Sequence, residues 1–336
     1  MNWFKSYLQD REQSVFINGH ESQRKIIKYG VPQGSILGPL LFILYINDFV
    51  NASDILHKVL FADDTNLLLS HKSPHVLQEL VNKELEKVDT WFKCNKLSLN
   101  INKTNYILFR SIRNLNNIEH ICLTINGQNI ERVNSTKFLG IHIDEFINFK
   151  CHINVLLKKL SKYVGLFFKL RHFLPLSALL TLYRSLFEPH INYCNIVWCN
   201  TFPSHLTKLQ SLQKKIVRAI SWSDFTAPSG PLFYKYGLMR LSDINIYHNA
   251  CVLYQVVNRS NLRLCELIPV SLPLHTYDTR NKNHITGKKR KLKCTSLSIV
   301  CRGPQIWNNL DGFIKLSQSF SSFKKNVRKK LLSSYI

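Results

Sequence analysis

Two adjacent carboxylates, Asp63 and Asp64, lie between the apolar runs Val59-Leu60-Phe61-Ala62 and Leu67-Leu68-Leu69. Apolar runs of that length predict two short strands with the acidic pair at or beside their turn. The feature is constraining because the strands must bury their flanks while both charges gather at one point. Asp is an ordinary turn residue, since its side chain hydrogen-bonds nearby backbone. Oxygen ligands held rigidly at one place also suit a hard divalent cation. The hairpin alone leaves both readings open.

Its neighbours narrow them. Upstream, Gly30-Val31-Pro32-Gln33-Gly34-Ser35-Ile36-Leu37-Gly38-Pro39 precedes the apolar run Leu40 to Ile46 and then Asn47-Asp48. The glycines and prolines exclude a regular element before Pro39 and predict a shaped loop. Pro39 suits the first turn of a helix. That helix is apolar on nearly every side and is expected to be buried. Such a loop can lie close against a nucleotide or a template base, or simply join two core elements. Downstream, Asn95 to Thr104 leads to an expected strand Tyr106–Phe109, and Ser135 to Asp144 follows.

In order and spacing, these four blocks resemble the palm of a reverse transcriptase. More narrowly, they resemble the polymerases of non-LTR (LINE-type, jockey-like) retrotransposons. GVPQGSILGPLLFILYINDF is similar to motif B, and FADDT to the catalytic motif C, with Phe61 where Tyr is more usual. NKLSLNINKTNYILF is similar to motif D, KFLGIHID to the primer-grip motif E, and RGPQIWNNL with SFSSFKKNVRKKLL to the tail of such reading frames. The resemblance runs essentially end to end. It implies an α+β fold: a partial polymerase palm, an antiparallel sheet with packed helices, followed by a helical thumb and a basic C-terminal region. The corresponding domains are 1–144, 145–225 and 226–336.

The chemistry implied is nucleotidyl transfer from deoxynucleoside triphosphates to a DNA primer on an RNA template, with two Mg²⁺ ions. Asp63 and Asp64 would be the catalytic, metal-binding carboxylates, which repel each other unless a cation lies between them. Lys103 would approach the pyrophosphate as a cation or general acid, or else be a surface residue of an Asn-rich loop. Pro32, Gln33, Gly34 and Ser35 would line the nucleotide and template base. Phe138, Leu139 and Gly140 would position the primer end, and a plain core strand would look the same.

One departure matters. The family's motif A, F-x-D-x-x-K-A-F-D, carries a principal metal ligand, and the 29 residues before Gly30 contain no such pattern. Asp10 is the sole Asp there and is not a substitute. The segment resembles the end of the helix after motif A, with Gln13 to Gly19 entering a hairpin. The expectation is the C-terminal portion of a larger polymerase, inactive alone. The alternative is a non-catalytic nucleic-acid-binding remnant.

Charge agrees with a polyanionic partner. Residues 1–144 carry 16 Lys and Arg against 14 Asp and Glu, and residues 145–336 carry 29 against 7, so nearly all of the net +24 lies in the second part. Binding should weaken as salt rises. Ile153, Leu156, Leu157, Leu160, Val164 and Phe167 form one helical stripe, with Lys158, Lys159 and Lys162 mostly off it. Leu206, Leu209, Leu212, Ile216 and Ile220 form another, with Lys214, Lys215 and Arg218 on other faces. These six residues are the candidate contacts to a nucleic-acid backbone, together with Lys288, Lys289 and Arg290. The run Lys288 to Lys293 fits a nuclear-import signal, a phosphate patch or a solvated loop equally.

No apolar run is long enough to span a bilayer. The N-terminus lacks signal-peptide form, so a nuclear or cytoplasmic protein that is not secreted is expected. Nine cysteines without a C-x-x-C read as reduced thiols. His190, Cys194 and Cys199 fit core packing better than zinc. Further local signals are Ser73-Pro74, which predicts a helix start carrying a stripe from Val76 to Phe92, and Asn126-Gly127, which predicts a hairpin.

Overall fold

The computed structural model describes residues 2–32, 34–112, 121–270, 284–287 and 296–336. Two compact units are present, Met1–Tyr106 with Leu115–Arg132, and Ile107–Asn114 with Val133–Ile336.

The first unit opens with α1 (Asn2–Leu8), followed by β1 (Glu12–Gln13), β2 (Phe16–Ile17), β3 (His20–Glu21) and β4 (Lys25–Ile26). β1 pairs with β4 and β2 with β3, making the expected hairpin. Its turn is Asn18-Gly19, both at positive φ (50° and 83°), which a two-residue type I′ turn requires. Next come α2 (Leu37–Ile46), a 3₁₀ turn at Asn47–Ala52, β5 (His57–Phe61), β6 (Asp64–Leu68) and α3 (Pro74–Cys94). β7 (Asn105–Tyr106), β8 (Thr124–Ile125), β9 (Gln128–Asn129) and β10 (Glu131–Arg132) complete the unit.

α3 begins where its cap predicts: Ser73 Oγ accepts from the Val76 N–H at 3.5 Å, with Pro74 in the first turn. Val88 and Phe92 from its stripe pack with Ile46, Phe49 and Leu56 in the unit's core. Burying each such side chain contributes about 1.5–3 kcal/mol. The other side of α3 acts like an extra strand for the segment at β8. Gln78 Oε1 accepts from Cys122 N (2.8 Å), Asn82 Oδ1 accepts from Thr124 N (3.0 Å), and Asn82 Nδ2 donates to Cys122 O (3.2 Å). Ile121, Leu123 and Ile125 are buried, and Asn126-Gly127 turns β8 into β9 with φ of 53° and 74°.

Two expectations need correction. α2 is not buried: Leu40, Ile43, Leu44 and Tyr45 are exposed, and only Gly38 and Ile46 are buried. A helix apolar all round needs partners on every side, whereas the core here covers only the side around Phe42 and Ile46. Nor do the strands assemble into one antiparallel sheet. The described strands form six separate pairs, and the expected Tyr106–Phe109 strand is only Asn105–Tyr106, paired parallel with β10. The fold is a mixture of helices and small sheets, compatible with part of a polymerase.

The second unit begins with the hairpin β11 (Ser135–Phe138) and β12 (Ile141–Asp144). Asp144 is buried, and its Oδ1 accepts from Phe146 N (3.2 Å) and Asn148 N (3.1 Å), shaping the turn into α4 (Lys150–Leu170). Then follow α5 (Leu176–Leu182), a π-helical turn at Tyr183–Phe187, α6 (Glu188–Asn192), α7 (Asn195–Trp198), α8 (Pro203–Ser221), α9 (Ser229–Lys235) and α10 (Leu241–Val257). Both sequence-predicted stripes face the core: Ile153, Leu156, Leu160 and Phe167 of α4 meet Leu209, Ile216 and Ile220 of α8 around Tyr183 and Trp198.

α4 and α8 run side by side in the same direction. Near their starts Thr201 Oγ1 donates to Asn148 O (2.7 Å), and past their ends Arg171 lies over Trp222. The same core continues past residue 225 through Phe233, Leu241 and Ile244. A second cluster, with Leu253, Trp307, Phe323 and Val327, joins α10 to helices Ile299–Asn308 and Phe320–Ser333.

Candidate functional site

The acidic pair occupies the position its flanks predict. β5 and β6 pair from His57↔Leu68 to Phe61↔Asp64, leaving Ala62-Asp63 as a two-residue turn. Ala62 holds φ at 50°, as the first central residue of tight hairpin turns must. Asp63 therefore sits in the turn and Asp64 opens β6, both exposed. Neither side chain makes a hydrogen bond or an ion pair among the described residues. Phe61 beside them is also exposed.

Their oxygens are of the kind a hard cation takes, but their number is short of a full site. Among the described residues, no group of three or more His, Cys, Asp or Glu can hold a metal. Among the described residues the donor set for Mg²⁺ is thus incomplete.

The loop before α2 is shaped as expected, and its serine does much of the shaping. Gly30 and Gly34 hold φ of 83° and 80°. Ser35 Oγ donates to Pro32 O (2.8 Å) and accepts from Gly38 N (3.1 Å), clamping the loop to the start of α2. Gly38 is needed for that clamp, since a Cβ there would stand 3.0 Å from Ser35 Oγ and 3.2 Å from Pro32 O. Pro32, Gly34 and Ser35 thus share one turn, while Gln33 lies outside the described residues. Lys103 ends the 3₁₀ turn Ile101–Lys103, where its backbone N–H meets Asn100 Oδ1 at 3.3 Å and its side chain is exposed.

Phe138, Leu139 and Gly140 form the tip of the β11–β12 hairpin. Phe138 pairs with Ile141, and Leu139 and Gly140 make the turn at φ of 44° and 86°. Tyr193, which the sequence pattern did not single out, covers this tip. Its hydroxyl donates to Leu139 O at 2.7 Å, and its ring lies 3.3 Å from where a Gly140 Cβ would be.

Between Lys150 and Ser221 eleven Lys and Arg accompany one acid, Glu188. Burial pushes the Glu188 carboxyl above its ordinary range, against the opposing pull of Arg328 and Arg184. Lys158, Lys159 and Lys162 are exposed on α4 and form no ion pair among the described residues. Lys214 is exposed, and the Lys215 ammonium lies 5.6 Å from the Phe225 ring centre. Arg218 has a structural duty, its Nε donating to Ala227 O at 2.9 Å. Lys288, Lys289 and Arg290 lie outside the described residues. Cys199 is buried in the core, which pushes its thiol up to about 12 and fits packing rather than metal binding.

Residues 1–143 match the family described as reverse transcriptase (RNA-dependent DNA polymerase). The curated proteins it is similar to include polymerases and polyproteins of mobile elements. The RNA-directed DNA polymerase from mobile element jockey of Drosophila melanogaster is 30% identical over 230 residues, covering 65% of this chain and 24% of that protein. The probable RNA-directed DNA polymerase from transposon X-element of the same species is 27% identical over 224 residues, with the same two shares of 65% and 24%. A Pol polyprotein from the type-1 retrotransposable element R1 of Bradysia coprophila is 31% identical over 186 residues, 53% of this chain and 18% of that protein. The chain thus spans about a quarter or less of the length of these curated relatives. No solved structure matches it. Among the described residues, no helix is long and apolar enough to cross a membrane.

Proposed function

We propose that this chain contributes the motif B-to-E region and the basic helical region of an RNA-directed DNA polymerase. Residues 1–144 serve as the partial palm, 145–225 as the thumb and 226–336 as a basic C-terminal region. The substrates are deoxynucleoside triphosphates, a DNA primer and an RNA template. The observation that carries the reading is the exposed Asp63-Asp64 pair at a two-residue hairpin turn, within the segment that matches the family. Asp63 and Asp64 hold part of a Mg²⁺ site. The metals would supply charge neutralisation and activation of the primer hydroxyl. Ser35 and Gly38 set the loop that lines the nucleotide, the Leu139-Gly140 tip supports the primer end, and Lys103 approaches the pyrophosphate.

Because the described donor set is incomplete, the chain alone is expected not to extend a DNA primer on an RNA template with Mg²⁺. It is expected to bind that primer–template with an affinity that falls as salt rises. Robust extension abolished by Asp63→Ala would overturn the first expectation. The exposed lysines of α4 also support a non-catalytic nucleic-acid-binding role, in which affinity survives Asp63→Ala and Asp64→Ala together.

A further inference from the structure

We propose that Trp222 and Phe225, past the end of α8, form a stacking platform for the bases of single-stranded nucleic acid. The inference rests on the reading that the basic helical region binds nucleic acid. Trp222 holds φ at 54°, a left-handed conformation that is unusual for so bulky a residue. The residue is 56% exposed, yet its ring has neighbours that hold it. The Arg171 guanidinium lies over it at 4.4 Å, backed by the Phe168 ring at 5.0 Å, and His172 meets it edge-on at 4.9 Å. Phe225 is 65% exposed, with the Lys215 ammonium 5.6 Å from its centre. The loop that carries both rings is tethered, since Arg218 Nε donates to Ala227 O and Ser223 N donates to Arg218 O (3.2 Å).

Two large rings are therefore held in solvent, each with a cation on one face and much of its surface open. Helix C-termini attract cations in any case, but that does not require aromatic rings to stand in water beside them. A base offers a π-face to such a ring, and the phosphates on either side of it offer negative charge to Arg171 and Lys215. A duplex has its bases already stacked on one another and can use only the charges. A protein partner is disfavoured by the charge, since from Lys150 to Phe225 eleven basic residues accompany two acids, Glu188 and the exposed Asp224. An unstacked strand uses both rings and charges.

The test uses the full chain and fluorescence anisotropy with short labelled single-stranded RNA and DNA and a blunt duplex. Trp222→Gly relieves the left-handed backbone, so loss of folding should not explain its effect; Phe225→Leu keeps an apolar side chain. Each is expected to weaken single-strand binding on the order of 10-fold. Duplex binding should change less than about twofold, because the groups that meet the phosphates are unaltered. Weakening of either RNA or DNA alone supports the platform and identifies its strand. Equal weakening of strand and duplex, or none, overturns it. An unaltered chain that binds duplex but no single strand defeats this inference alone. One that binds neither defeats the nucleic-acid reading with it.

Discussion

The hydroxyl of Tyr193 donates to the carbonyl of Leu139 across 2.7 Å, tying a hairpin tip to a turn 54 residues further along the chain. The same ring occupies the space next to Gly140, so one aromatic residue fixes both turn positions. The bond lies within the second unit, and a long-range contact therefore holds a tip whose local sequence only specifies that it turns.

Tyr193→Phe keeps the ring and removes the bond. It should lower unfolding free energy by about 1 kcal/mol or less, since the residue is half exposed. Gly140→Ala should cost more, because φ of 86° and the Tyr193 ring both oppose a Cβ. Urea unfolding of the two variants measures the order.

The α4 lysines should act through charge. Replacing Lys158, Lys159 and Lys162 by Ala is expected to flatten the plot of log affinity against log salt by about 0.9 for each phosphate that is no longer neutralised. Arg218→Ala should behave differently. Its Nε anchors the Ala227 carbonyl, so thermal stability should fall as well. Salt titrations and melting curves together separate the two roles.

His152 gives the helical unit a pH dependence. It is buried beside Trp198, and burial first, then the neighbouring His142, lowers its pKa from 6.5 to about 4. The unfolded chain therefore takes up a proton near 6.5, whereas the folded one does so only near 4. Stability present above 6.5 is lost as pH falls through that window and levels off below about 4. The loss is on the order of 3 kcal/mol. NMR titration of the ring and denaturation at several pH values check it, and the slope should shrink in His152→Gln.

The uncovered face of α2 should make the isolated chain bind an apolar dye such as ANS under native conditions. Leu40→Gln, Ile43→Gln and Leu44→Gln together should reduce that signal while far-ultraviolet circular dichroism stays unchanged. Undiminished fluorescence would locate the apolar surface elsewhere.

Local chemistry was legible in the sequence. Ser73 caps α3, Asn126-Gly127 turns a hairpin, and Asp63-Asp64 sits at its turn because each signal operates within a few residues. The α4 and α8 stripes face the core for the same reason, as helical period alone sets the face. What covers a face is not local. The all-round apolar run of α2 implied burial, but burial needs partner surface, which the described core provides on one side only. Tyr193 on Leu139 and Arg218 on Ala227 were likewise hidden, since each joins residues that share no motif.

The Ala62-Asp63 turn has no slack. Because side chains alternate along a strand, adding one codon there would pivot every residue of β6 to the opposite face if pairing resumed a step later. The hydrogen bonds could reform while Asp64 changed sides. A single small insertion would thus separate the acidic pair while leaving the hairpin folded, so the strand pairing does not by itself keep the two carboxylates together.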